Sequence, residues 1–154
     1  MSYWLIKSEP GEFSIDDLVR SPGRKTCWDG VRNYQARNFM RLDMKSGDRA
    51  FFYHSSCPET GIAGIVRIAS EAYPDHTAFD PTDKHYDAKS DPDEPRWYMV
   101  DVEHERKLKR VIRLAELRSH ANDELDGLAL LRRGNRLSIT PVSEAHWDFI
   151  LSLE

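Results

Sequence analysis

Tyr3-Trp4-Leu5-Ile6-Lys7-Ser8-Glu9-Pro10 is the stretch on which the fold turns. Four aromatic or aliphatic residues of β-forming character run into Lys7 and Ser8, and Glu9-Pro10-Gly11 then breaks the run. That pattern predicts a strand whose C-terminal end delivers Lys7 and Ser8 into a loop. Ahead of the strand lies neither a basic segment nor an apolar run of roughly 7 to 15 residues, so no secretory signal is expected. A cytoplasmic location is expected, or a nuclear one in a eukaryote.

Outward from that strand, Ser14 precedes Ile15-Asp16-Asp17-Leu18-Val19 with an acid three residues after the cap, which predicts a short capped helix ending near Ser21-Pro22-Gly23. Asn33 is placed to cap a second helix running to about Leu42, with Arg37 and Arg41 one turn apart on an exposed face. Arg49 to His54 and Gly61 to Tyr73 read as strands, and Gly64 inside the second marks a bulge or a close backbone approach. Trp97 to Val102, extending toward Val111, returns to strand character. Leu114 to Leu117 and Asp123 to Arg133 read as short helices, Leu137 to Ile139 as a closing strand. Ser143 starts a last helix with Ala145, Phe149 and Ile150 on one face. The order predicts an α+β domain, a small barrel-like sheet with helices around it. Between Pro74 and Pro95 the chain is rich in Pro and Asp, and a loop of that length in a compact domain is usually functional.

The length of 154 residues fits a single domain, 1–154. No apolar run approaches the roughly 20 residues of a membrane span, so no membrane association is expected. Cys27 and Cys57 are too far apart for a CxxC site and too few for a disulfide framework, and both are expected as free thiols. Net charge is −4, but it is segregated. Residues 20–49 carry eight Lys or Arg against three Asp, residues 106–136 nine against four acids, and residues 71–105 three against eleven. Two basic blocks that met in space would make an anion-binding patch; held apart, they would be solvated helix faces.

Little conventional chemistry is present. His54 and Cys57 are two ligands, not a metal site, and no metal or cofactor is expected. Gly-x-Ser-x-Gly and the phosphate-loop and dinucleotide signatures are absent. Lys7 with Glu9 forms a conceivable base and acid pair, with a plain surface charge and turn acid as the simpler explanation. What remains is an association of aromatic and polar residues near strand ends: Trp28, Tyr34, Tyr53 and Trp97 beside Lys7, Ser8, Asn33, His54 and Ser55. Stacking a flat base and reading its edge requires these residue types, and Arg32, Arg37, Arg41 and Arg136 would hold phosphates outside the pocket. Composition alone favours Trp28 and Trp97 as core residues.

Tyr3 to Pro10, Trp28-Asp29-Gly30-Val31-Arg32-Asn33-Tyr34-Gln35-Ala36-Arg37-Asn38, Phe51 to Ser55, Gly61 to Gly64, Ala72 to Asp75 and Arg136 to Ile139 resemble, in order, the motifs of the EVE-domain family and its branch around thymocyte nuclear protein 1. The resemblance runs from Tyr3 to about Leu153. It implies a PUA-like fold, a small β-barrel of about five or six mixed strands flanked by short helices, related to ASCH and YTH domains. It also implies a non-enzymatic nucleic-acid-binding module that recognises a modified base in DNA or RNA; the sequence leaves the oligomeric state open, with a monomer as the simpler expectation. By the same resemblance, Lys7, Ser8 and Trp28 stand where YTH domains, readers of N6-methyladenosine, carry a Lys-Ser pair and a cage Trp. The second cage wall of YTH domains comes from a loop that here is Pro74 to Pro95 and holds no Trp, which leaves Phe79, Tyr86 or Trp97, or a pocket with one wall. The enzymatic alternative implied is a small ASCH-like hydrolase of a nucleoside-like substrate, using Lys7 and Glu9. The expected pocket groups Trp28 with Ser8, Asn33, Tyr53, His54 and Ser55, flanked by the basic blocks, with the acidic loop elsewhere or acting as a gate.

Overall fold

The opening strand, β1 (Tyr3–Ser8), lies inside a mixed six-stranded sheet in the computed structural model, which describes residues 1–154. The other strands are β2 (Lys25–Cys27), β3 (Arg49–His54), β4 (Gly61–Ile68), β7 (Asp101–Arg113) and β8 (Ile139–Val142), in the order β2-β7-β4-β3-β1-β8. β5 (Tyr73–Pro74) and β6 (Tyr98–Met99) pair separately. The sheet curls into a half-barrel and keeps two edges, β2 and β8. Its one parallel pair is β1 with β3, and a parallel pair needs a long crossover. The intervening chain supplies it with α1 (Ile15–Arg20), β2 and α2 (Tyr34–Asn38), α2 running on into a π-helical turn at Phe39–Asp43.

Alternation along the strands sorts side chains onto two cores. Trp4, Ile6, Ala50 and Phe52 face the crossover side, with Ile15, Leu18 and Met40. Leu5, Phe51 and Tyr53 face the other, under α3 (Leu114–Arg118) and α4 (Glu144–Ser152), with Leu117, Trp147 and Ile150. In β4 the alternation changes phase: Ile62 and Ile65 share one face, Ala63 and Val66 the other. The register shifts around Gly64 account for this, because one inserted residue swaps every following side chain between faces. A Cβ on Gly64 would stand 2.9 Å from the Arg106 carbonyl oxygen and 3.0 Å from Ile15, which confirms the close approach.

Gly61 is tighter still, since a Cβ there would stand 2.3 Å from the Ile112 carbonyl oxygen, a backbone atom that can move only by opening the β4–β7 ladder. Gly61→Ala is expected to cost about 3 kcal/mol, the upper end of overpacking, and a shift in the urea midpoint with unchanged slope would register it. A midpoint within error of wild type would show that the ladder yields at no cost.

The caps fall where the sequence places them. Ser14 accepts from the Asp17 N–H while Asp17 accepts from the Ser14 N–H, a complete capping box. Asn33 accepts from Ala36 N, and Ser143 from His146 N. Four expectations need correction, the first being that the closing strand is Ile139–Val142 and not Leu137 to Ile139, because it is these residues that pair with Tyr3–Ile6 of β1. Residues 123–133 form turns with only a 3-10 turn at Ala129–Leu131, because Gly127 takes a positive φ of 84° that no helix contains. Tyr73 belongs to its own short strand, since β4 ends at Ile68. In α4 the buried residues are Trp147 and Ile150 while Ala145 is exposed, because Trp147 stacks on Phe51 with centroids 3.9 Å apart and sets the helix rotation. Both cysteines are free thiols, and no helix is long and apolar enough to cross a membrane.

Candidate functional site

A cleft of about 510 Å³ opens where β1 ends, within the roughly 300–1,000 Å³ of ligand sites. β1 contributes Lys7 and Ser8, the turn after it Glu9 and Phe13, β2 and its connector the run from Thr26 to Arg32, and the long loop Lys84 and His85. Ser138, just before β8, completes the rim.

Trp28 is half-buried in this cleft. Its backbone N–H donates to the Val100 carbonyl at 2.7 Å, and its ring meets Phe52 edge-on at 5.5 Å and Phe13 at 6.4 Å. The indole is thus buttressed by the crossover-side core while remaining part of the cleft wall. Lys7 reaches the cleft with no hydrogen bond or ion pair to its ammonium, and burial pushes its pKa below the usual lysine range. The Ser8 hydroxyl donates to the Phe13 carbonyl and closes the turn after β1.

The floor beside Trp28 is held by Asp75, which is fully buried and precedes a 3-10 turn, His76–Phe79. Its carboxylate accepts from Gly30 N at 2.8 Å, Arg32 Nη1 at 3.0 Å, Thr77 N at 2.9 Å and Thr77 Oγ1 at 2.6 Å. Arg32 spends all five of its donors inside the protein, the remainder going to Val31 O, Thr77 Oγ1 and, twice, His85 O. The expectation that Arg32 holds phosphate is therefore corrected: it ties the connector to the long loop. Gly30 has φ of 79°, and His85 lies so close over it that a Cβ would meet the imidazole at 2.5 Å.

Other assignments are also revised. Tyr53 is only 3% exposed and faces the opposite core, because it alternates with Phe52. His54 accepts from Ile15 N at 3.1 Å through Nε2, which occupies that nitrogen and anchors the start of α1; burial lowers its pKa. Ser55 donates its backbone N–H to Ser8 O. Asn33 is a helix cap. Trp97 is 6% exposed, donates to Asp87 at 2.7 Å and stacks on Tyr34 at 4.9 Å, away from the cleft lining. Phe79 and Tyr86 do not line the cleft either, and the ring that the long loop brings is His85. The acidic loop thus forms one wall.

Of the remaining arginines, Arg37 donates to Asn38 and to Arg96 O and lies 4.8 Å over the Tyr34 ring. Arg41 lies 4.9 Å over Tyr98 and is exposed. Arg136 is exposed, makes no ion pair and stands two residues from Ser138 of the rim. In the second basic block Arg106, Lys107, Arg110 and Arg113 are neutralised by Glu154, Asp16, Glu116 and Glu59. Asp29, Phe13 and His85 are lining residues that the pocket reading missed; Asp29 follows Trp28 directly, and its place in a turn before Gly30 was the available signal.

A family model described as EVE domain matches residues 2–153. Human thymocyte nuclear protein 1 is 51% identical over 99% of this chain and 74% of its own length. The crystal structure of human THYN1 protein in complex with 5-methylcytosine-containing DNA superposes with a TM-score of 0.95 at 50% identity, over 99% of this chain and 97% of that one. A Pseudomonas putida protein of known structure gives a TM-score of 0.93 at 51% identity, over 99% of both chains. An ASCH protein from Zymomonas mobilis, 12% identical with a TM-score of 0.56, shares the fold alone.

Proposed function

The chain belongs to the EVE-domain family, and on that premise we propose that it is a non-enzymatic module that binds DNA by seating a 5-methylated cytosine against Trp28. The observation that carries the reading is the half-buried Trp28 ring in a cleft of ligand size, backed by Phe13 and Phe52 and accompanied by the unpartnered Lys7. An aromatic face binds any base by stacking, and polar groups around it select an edge. Base recognition of this kind requires the nucleotide to leave the stack, and a modified or already unpaired base leaves at least cost. Of the four candidate arginines, Arg41 and Arg136 are exposed and without ion pairs and so have donors to offer phosphates, and Arg37 retains a share of its own.

The test is titration of the whole protein against matched oligonucleotides carrying 5-methylcytosine or cytosine, with an RNA counterpart. The methylated DNA is expected to bind best, and raising salt from about 50 to about 200 mM should weaken it, since each neutralised phosphate contributes a slope of roughly −0.9 in log K against log salt. Binding indifferent to both methylation and salt would overturn the reading. The hydrolase alternative rests on the lowered pKa of Lys7 beside Glu9; turnover of acylated nucleosides in a parallel assay would favour it, and none is expected.

A further inference from the structure

Asp29 is an exposed residue of the cleft whose chain neighbours on both sides are held by hydrogen bonds while its own carboxylate has no polar partner. The preceding Trp28 N–H donates to Val100 O at 2.7 Å, and the following Gly30 N–H donates to the buried Asp75 at 2.8 Å. Gly30 turns the chain with φ of 79°. The Asp29 carboxylate has neither hydrogen bond nor ion pair, unlike Asp75 with its four donors and Glu12 with Lys84. It follows Trp28 directly and lines the same cleft.

A rigidly placed, unpartnered carboxylate is unfavourable in a site for a polyanion unless a ligand donor meets it. Ionised Asp accepts only, and among base edges the partner it matches is an exocyclic amino group, as on C4 of cytosine. We propose that Asp29 reads the 4-amino group of the seated base and so makes the site accept 5-methylcytosine and reject thymine, its deamination product. The two bases share the ring, the 5-methyl group and the stacking face. They differ in that thymine offers a carbonyl oxygen at C4, an acceptor facing an acceptor. Stacking on Trp28 cannot separate them, and Lys7, a pure donor, is suited to the ring carbonyl at C2 that both carry. Asp29 thus supplies the discriminating contact.

This inference rests on the proposed base-binding reading, and the experiment separates the two. The full chain, Asp29→Asn and Asp29→Ala are titrated with single-stranded oligonucleotides that differ only in 5-methylcytosine or thymine at one position. The wild type is expected to favour 5-methylcytosine by about 10- to 100-fold. Asp29→Asn, whose amide can turn either a donor or an acceptor to the base, should bring the ratio to within about threefold by weakening 5-methylcytosine and strengthening thymine. Asp29→Ala should lose affinity for 5-methylcytosine without gaining it for thymine. Because Asp29 makes no bond in the fold, both variants should melt with the wild type, and a melting temperature more than a few degrees lower would overturn the view that its side chain is free. A wild type that binds both oligonucleotides equally, or variants that keep the wild-type ratio, would overturn the assignment and leave base binding standing. A wild type that binds neither would overturn both.

Discussion

Asp75→Ala is expected to lower folding stability by about 3–5 kcal/mol, the cost of removing one member of a buried ion pair and leaving its partners unsatisfied. Asp75 is fully buried, and four donors converge on it from Gly30, Arg32 and Thr77. Without it the Gly30 N–H and one Arg32 donor lose their acceptor, and the connector carrying Trp28 and Asp29 loses its hold on the long loop. Burial alone would push the Asp75 carboxyl up, but the hydrogen bonds from Thr77, Gly30 and Arg32 outweigh it and hold the pKa below the usual range. A group depressed in the folded state stabilises in full above its unfolded value, about 3.9, and loses that contribution as pH falls through the folded value. The stability gap between wild type and Asp75→Ala should therefore stay constant at neutral pH and shrink only in strong acid. Urea denaturation across pH would measure it; a gap under about 1 kcal/mol at pH 7 would show that Arg32 and His85 hold the loop unaided.

That brace also marks the limit of what a sequence displays. β1, the Ser14–Asp17 capping box and the Gly64 bulge were legible because each is decided by neighbours within a few residues. Lys7, Ser8 and Trp28 were legible as cleft residues because a strand end and a connector put them there. Arg32 was not, since its partners Asp75 and His85 are 43 and 53 residues away and only the fold shows that its donors are spent. The same applies to charge: the block over residues 106–136 looks like a patch until Glu154, Asp16 and Glu59 arrive beside Arg106, Lys107 and Arg113 from three other parts of the chain. Tyr53 failed for a different reason. A loop-proximal Tyr invites a pocket assignment, but strand parity sends it to the face opposite Phe52, against Trp147 and Leu117. His85 was visible as one of few rings in the long loop, yet its place over Gly30 depends on a glycine at positive φ that admits it.

Trp28→Ala should reduce affinity for a methylated oligonucleotide by about 10- to 100-fold while the protein stays folded. Stacking a base on an aromatic ring is worth about 1–3 kcal/mol by alanine substitution, and each 1.4 kcal/mol is a factor of ten. Removing a fully buried Trp costs about 3–5 kcal/mol of stability. Trp28 is half-buried, with its edge contacts to Phe52 and Phe13 on the core side and the cleft on the other. Its loss should therefore cost about 2 kcal/mol, less than the full core penalty, and the binding defect should exceed what unfolding explains. Asn33→Ala provides the comparison. Its side chain caps α2 through Ala36 N at 3.0 Å and does not line the cleft, so it should lose about 1 kcal/mol of stability and bind as wild type. Denaturation and titration of both variants beside the wild type distinguish a base-stacking face from a core residue. A Trp28→Ala protein that binds undiminished would remove Trp28 from the site, and one that fails to fold would make it a core residue with the cleft as its by-product.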